Sequence, residues 1–382
     1  MYSHWFIVAA LGYIAMTVFI FFNYPESWLR NKVFITIMTV WHAVGLSAVV
    51  MVFTVFRSIP YDGVRYAIAR IGSMYYVTMT LLSILFFVRM ISSRTYMFVM
   101  DRTGKEISPW ARGRLTDKRF HSIVFIIISL AVFFAGYFNI DVLHDTRYDV
   151  TVNASSEEKE LNICLISDIH AGSATGDHVY DDLITLIGNS NPDVLFIAGD
   201  AFDETTGSSD VAALSRVLSE IRRPEYGIFY IYGNHDSSVD DWAAQQMREM
   251  GVTVLEDEIT VIGNDIQLIG CMDPTHGAKS VDALFNECRP DPDKPVLVLT
   301  HRPQHFSRMS DLGCDLVMAG HTHGFNIPQF SGLNLFGDMY SGIRQYGEMT
   351  AITTSGVSAW GFHYKWPAVS EVVTIHVTFA DN

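Results

Sequence analysis

The segment GHTHG (320–324) places His321 and His323 one residue apart between glycines, in a stretch too short and too glycine-rich for a helix. Residues of this type and spacing suit metal ligation, acid/base chemistry or an ordinary polar turn. The same residue types recur in SDIHAG (Asp168, His170), in GD at 199–200 (Asp200), in GNHD (Asn234, His235, Asp236) and in THRP (His301), each after an apolar run. Carboxylate oxygen with imidazole nitrogen suits Mn, Fe or Zn. Asp168 and His170 would project to the same side of an extended strand end. Asp200 has lone pairs in different directions and can bridge two ions, Asn234 can donate its side-chain oxygen, and His301, His321 and His323 can add imidazoles. Seven donors with one shared make a two-metal centre. Ions ~3.5–4 Å apart hold a water, lower its pKa and stabilise the attacking and leaving oxygens at phosphorus. Taken singly, a strand-end Asp is usually a turn or cap, and GNHD reads as a hairpin turn. Five such coincidences in order favour a site.

Positioning these residues requires strands that all end at one edge. LNICLISDIH, VLFIAGD, GIFYIYGNHD, KPVLVLTHRP and CDLVMAGHTHG are short apolar strands ending in donors. DDLITLIGNSNPD and DVAALSRVLSEIRR between them carry helical periodicity. Alternating strands and helices predict an α/β domain with substantial parallel pairing, whose sites lie at the carboxyl ends of strands.

In this order the five motifs resemble those of the calcineurin-like metallophosphoesterases, over about residues 160–376. The resemblance implies a four-layer αββα sandwich with two divalent metal ions, Mn, Fe or Zn. Asp168, His170 and His323 would hold one ion, Asn234, His301 and His321 the other, and Asp200 would bridge them. It implies hydrolysis of a phosphomonoester, phosphodiester or pyrophosphate by in-line attack of a metal-bridging hydroxide. His235 would stand beside the leaving-group oxygen, oriented by Asp236. His235 also follows a proposed ligand directly, and a cationic imidazole is harder to form near two metal ions, which tunes it toward giving a proton near neutrality. Membrane-associated members of the family often continue as GHTHGGQ and end with an arginine-containing stretch. This chain has Phe325 and Asn326 in place of Gly-Gln, followed by Pro328, and Lys365 in place of the arginine. Those departures bear on the substrate. Phe325, Asn326, Arg344 and Lys365 are the candidate substrate-binding residues, with Arg344 or Lys365 able to hold a phosphate. Asp203, Asp273, His276, His305, Trp360, His363 and Tyr364 are weaker candidates for a pocket wall.

The front of the chain has a different texture. About 5–22, 33–56, 71–88 and 121–138 are free of Asp, Glu, Lys and Arg, and each is near the ~20 residues that cross a bilayer as a helix. The first lacks a basic n-region and a cleavage site, so it reads as a retained helix. Arg89, Arg94, Arg102, Lys105, Arg112, Arg114, Lys118 and Arg119 make 89–120 a basic loop, expected on the cytoplasmic side with the C-terminal domain outside. The organisation expected is a four-helix transmembrane domain (1–140), a linker (141–159) and a metallophosphoesterase domain (160–382), in a plasma or bacterial inner membrane. His42, inside the second span, is a functional candidate or a histidine bonded to a neighbouring helix.

Of the 26 Lys/Arg and 41 Asp/Glu, residues 1–140 hold 13 and 5, leaving 13 and 36 for 141–382. An acidic back half argues against nucleic acid, whose phosphates need clustered Lys/Arg, but not against phosphate substrates at a site that carries metal cations. The expected partners are the lipid bilayer and a phosphate-containing substrate, lipid-linked in one reading. Cys164, Cys271, Cys288 and Cys314 lack metal-knuckle spacing and read mainly as buried small hydrophobes, with a Cys271–Cys288 disulfide open.

Overall fold

The structure is a computed structural model that describes residues 3–59, 63–236, 241–327 and 337–380, so Pro328 lies outside the described residues. The chain divides into two compact units, one of residues 1–50 and 70–135, the other of residues 51–69 and 136–382.

The first unit is helical. α1 (Ser3–Asn23), α2 (Glu26–Leu29), α3 (Lys32–Thr54), α4 (Gly63–Arg102), α5 (Pro109–Thr116) and α6 (Lys118–Asn139) follow in order. Among the described residues, 32–54, 64–102 and 118–139 are long and apolar enough to cross a membrane. Val33, Ile37, Val40 and Val44 of α3 are exposed, a row of apolar surface that suits lipid rather than water. Ile20, Tyr24, Tyr75, Met79, Leu82 and Phe86 pack together inside. His42 Nδ1 lies 2.7 Å from the Tyr75 hydroxyl, so this ring is bonded to a neighbouring helix. The stretch 89–120, expected as a loop, is helical through Arg102 and again over Pro109–Thr116. Arginine is a good helix former, and at 40 residues α4 is ~60 Å long, about twice a bilayer core. Arg89, Arg94 and Arg102 therefore lie within the helix rather than in a loop after it.

The second unit holds two six-stranded sheets. The first has the order β1 (Leu143–Val152), β12 (Ser370–Phe379), β2 (Glu160–Ile166), β3 (Val194–Ile197), β4 (Ile228–Tyr230), β5 (Thr253–Val254). The second has the order β10 (Gly342–Tyr346), β11 (Met349–Thr353), β9 (Leu316–Ala319), β8 (Val296–Leu299), β7 (Ile266–Gly270), β6 (Glu258–Ile262). β2, β3 and β4 pair in parallel, as do β7, β8 and β9. One apolar cluster draws on both sheets, with Leu165, Phe196 and Ile375 from the first and Leu268, Leu297 and Met318 from the second. α7 (Asp177–Ser190), α8 (Ser208–Glu220) and α9 (Trp242–Glu249) pack through Leu183, Leu214 and Met247 on the first sheet. α10 (Val281–Cys288) and α11 (Phe306–Asp311) pack through Leu284, Phe285 and Phe306 on the second.

Residues 141–159, expected as a linker, contain the ten-residue strand β1, paired in parallel with β12. Its charged outer face disguises it, because an edge strand with one solvated side needs few apolar residues. All four cysteines are free, and Cys164, Cys271 and Cys314 are buried.

Candidate metal centre

Each donor lies just beyond the carboxyl end of a strand: Asp168 and His170 after β2, Asp200 after β3, Asn234 and His235 after β4, His301 after β8, His321 and His323 after β9. The loops are laced together by their backbones. Asp168 N–H donates to Gly199 O at 3.1 Å, His170 N–H to Asp200 O at 3.0 Å, and Gly320 N–H to His301 O at 3.0 Å. Two carboxylates add cross-ties, since His235 N–H donates to Asp200 Oδ1 at 2.8 Å and His321 N–H to Asp168 Oδ2 at 2.9 Å. Gly233 is required by this closeness, because a Cβ there would strike the Asp200 carboxylate.

The paired donors do not sit on extended backbone. Asp168 (φ 51°), His170 (φ 43°), Asp200 (φ 51°), His321 (φ 73°) and His323 (φ 48°) are all left-handed. Convergence thus comes from turns after the strands, not from pleat alternation. Each such non-glycine residue costs about 1–3 kcal/mol and persists only where its surroundings hold it.

Two groups of donors result. The ligand atoms of Asp168, His170 and His323 lie within 4.8 Å of one another, as do those of Asp200, His301 and His321. Asp200 Oδ2 lies between them, 3.7 Å from His170 Nε2 and 3.2 Å from His301 Nε2. Asn234 Oδ1 is 3.2 Å from His301 Nε2, which adds the amide oxygen to the second group. Asp168 Oδ1 and His170 Nε2 are buried without a hydrogen-bond partner. Buried polar atoms are nearly always satisfied, so converging orphans fit a cation.

The imidazoles are aimed from behind. His301 Nδ1 is 2.7 Å from Ala198 O, which leaves Nε2 for the site, and His170 Nδ1 is 3.3 Å from Asp203 Oδ2. Such partners set tautomer and ring direction in metal sites. Asp203 is itself held by the N–H and hydroxyl of Thr205 at 2.7 and 2.6 Å. Burial pushes His321 and His323 down to about 3, keeping both neutral as ligation requires. Burial opposes charge on Asp200 too, but His301, His235 and His170 hold it well below the usual carboxylate range. For His301 burial again opposes, and Asp200 overrides it, pushing the group up to about 10.

His235 is adjacent to both groups, its ring 5.2 Å from that of His170. Asp236 does not serve as expected. Its carboxylate accepts from the backbone N–H groups of Asp200 (2.7 Å), Gly233 (2.8 Å) and Phe202 (3.2 Å), so it orders the loops. A short buried carboxylate surrounded by backbone donors satisfies them first. The group facing the His235 ring is Glu204, whose Oε2 is 3.5 Å from Nδ1. Sequence reasoning passed over Glu204; its only signal was an acidic pair, Asp203–Glu204, shortly after Asp200.

The substrate candidates divide. Lys365 is fully buried, and its ammonium donates to the carbonyls of Ser355, Gly356 and Ser358 at 2.6–2.8 Å. Asn326 is buried too, donating to Tyr364 O and accepting from Trp366 N–H, both at 2.8 Å. Both hold the 355–366 loop, because a long or amide side chain buried next to bare backbone is spent on it. Arg344 is exposed on β10 and donates to Asp338 O at 3.0 Å. Phe325 packs 5.4 Å from the Tyr340 ring. Of the weaker candidates, Asp273 is buried against Arg302 at 2.6 Å, His276 lies 4.5 Å from the Tyr232 ring, and His363 is 3.1 Å from Asp141.

Residues 161–325 match the calcineurin-like phosphoesterase family. A metallophosphoesterase of Helicobacter pylori is 25% identical over 274 residues, covering 69% of this chain and 72% of that protein. A transmembrane protein with metallophosphoesterase domain of Danio rerio is 26% identical over 312 residues, covering 73% of this chain and 69% of that one. The phosphodiesterase YaeI of Escherichia coli is 28% identical over 223 residues, 52% of this chain and 76% of that one. The loops that gather these donors are therefore those of a calcineurin-like phosphoesterase domain, with metallophosphoesterases, transmembrane ones among them, as its relatives.

Proposed function

We propose that the chain is a metal-dependent phosphoesterase that hydrolyses a phosphomonoester, phosphodiester or pyrophosphate, lipid-linked at the membrane surface. The observation that carries this reading is the pair of donor groups meeting at Asp200 Oδ2. Two divalent ions, Mn, Fe or Zn, would supply charge neutralisation at phosphorus and a water of lowered pKa. Asp168, His170 and His323 are the residues to hold one, Asn234, His301 and His321 the other, and Asp200 both. His235 is the group to meet the leaving-group oxygen, with Glu204 on its far nitrogen and Asp236 holding its loop.

In this reading the two sheets and their helices form the four-layer αββα sandwich of the family. Four helices cross the membrane, α1 included, with the basic end of α4 and α5 on the cytoplasmic side and the catalytic domain outside. The anchor keeps the domain at the bilayer, which favours a lipid-linked substrate. The Escherichia coli relative is named a phosphodiesterase, so a diester on a soluble nucleotide or cell-wall polymer is the second reading.

The test is an assay of the detergent-purified chain with Mn, Zn or Fe on p-nitrophenyl phosphate, bis(p-nitrophenyl) phosphate and a lipid pyrophosphate, beside Asp200→Asn. Metal-dependent turnover that the variant lacks supports the reading; intact substrates throughout, or full activity in Asp200→Asn, end it. Thiol labelling of single cysteines placed at Thr103 and Asp145 tests the orientation, which reverses if the first is labelled from outside.

A further inference from the structure

Two rings pack against His235: His170, nearly perpendicular at 5.2 Å, and the Trp360 indole, 5.0 Å away and inclined by only 30°. Glu204 joins the indole to the His235 ring, since Trp360 Nε1 donates to Oε1 at 2.9 Å while Oε2 lies 3.5 Å from His235 Nδ1. Behind the indole is Phe53, one residue before the end of α3, with centroids 5.6 Å from Trp360 and 5.5 Å from Phe362. The packing is close enough that a Cβ on Gly361, which is left-handed at φ 75°, would come within 3.0 Å of Phe53 Cζ. Phe53 belongs to the same compact unit as the sheets although it precedes β1 by some ninety residues.

We propose that Trp360 is a positioning residue for His235. In this arrangement Glu204 clamps the indole N–H and the imidazole Nδ1, and Phe53 backs the indole. Flanking rings and a carboxylate at Nδ1 limit how far the imidazole turns, so its Nε2 is aimed by the fold rather than by chance. An indole buttressed by an aromatic contact is a stiff support, because paired rings attract beyond the area they bury. The last turn of α3 thus contributes to the reaction through a chain of rings. The step it serves is displacement at phosphorus: a water oxygen bonds to phosphorus, the bond to the leaving oxygen breaks with its electron pair kept by that oxygen, and that oxygen takes the proton held on His235.

This inference rests on the phosphoesterase reading, and two measurements keep their failures apart. The first needs no turnover. Carbethoxylation of His235 by diethyl pyrocarbonate, followed by mass spectrometry on metal-free full-length protein, should run several-fold faster in Trp360→Ala and Glu204→Gln, with His305 unchanged as an internal reference. An unchanged rate at His235 overturns the clamp. The second compares p-nitrophenyl phosphate with phenyl phosphate, whose leaving group is poorer and needs its proton more. With manganese, Trp360→Ala should lose about 10-fold or more on phenyl phosphate, a part of the ~10²–10⁴-fold that positioned proton transfer contributes, and distinctly less on p-nitrophenyl phosphate. Trp360→Phe, which keeps a ring, should restore most of it, and Phe53→Ala should fall between. Equal losses on both substrates would mean that Trp360 only supports the fold, and the positioning role fails. If the unmutated chain hydrolyses neither, the phosphoesterase reading is what fails, while the carbethoxylation rates still decide whether Trp360 and Glu204 hold the ring.

Discussion

Two buried polar clusters of this domain, far apart in sequence, meet at Gly356 and are built in opposite ways. Around Lys365 every ammonium proton has a carbonyl acceptor. Around Asp168 and His170, equally buried, Asp168 Oδ1 and His170 Nε2 have no hydrogen-bond partner. The first cluster is complete as it stands, and its residues serve architecture. The second leaves donors that fit a cation, and in the proposed reading its residues serve chemistry. Residue type alone would have assigned lysine to the substrate; the state of satisfaction separates the two.

Four measurements can break or sharpen that contrast. The largest effect is expected from Asp200→Asn, which removes the carboxylate shared by both donor groups. Metal content by plasma mass spectrometry should fall, and activity should drop by more than the roughly 10–100-fold that an outer-shell partner is worth. Next is Asp203→Asn, which should weaken manganese binding about 10–100-fold by freeing the His170 ring while thermal unfolding of the metal-free protein changes little. Lys365→Met should do the reverse. It strands three carbonyls at about 1–3 kcal/mol for each one left unpaired, so the unfolding midpoint falls while the metal stoichiometry at saturating manganese holds. A Lys365→Met protein that lost metal without losing stability would erase the contrast.

The smallest effect is a pH profile of the metal-free protein. His321 and His323 are pushed down to about 3 by burial, so the unfolded chain binds more protons from pH ~6.5 downward and stability falls as pH drops toward 3. His301 is pushed up to about 10, Asp200 outweighing burial. Its stabilisation is complete below ~6.5 and is lost as pH rises toward 10. The melting temperature should therefore peak near pH 6.5 after chelation. Bound metal should flatten the alkaline limb, because His301 then no longer depends on a proton; a monotonic curve would contradict both assignments.

Much of the arrangement was legible in the residues, for physical reasons. Parallel strands buried on both faces must be apolar runs, and VLFI and VLVL announce β3 and β8. Donors that follow such runs must gather at one edge, so Asp168, His170, Asp200, Asn234, His301, His321 and His323 could be named in advance. Their backbone could not. A positive φ at His170 or His321 is imposed by neighbouring loops, whereas residue type signals it only at glycine and, weakly, at asparagine or aspartate. β1 was hidden because LHDTRYDVTV is polar on its exposed side. Lys365 misled because its partners are carbonyls, which every residue carries. Glu204 and Trp360, 156 residues apart, meet only through the fold.

Arg65 lies in the first turn of α4, yet its guanidinium is 2% exposed, paired with Asp210 at the start of α8 and stacked 4.4 Å over Phe56. A cut between α6 and β1 would not release an intact domain. It would leave the Asp210 carboxylate buried without its cation, a loss that costs about 3–5 kcal/mol when one partner of a buried pair is removed, and it would take Phe53 from behind Trp360. In the proposed reading, shedding this domain from its membrane would therefore also switch it off.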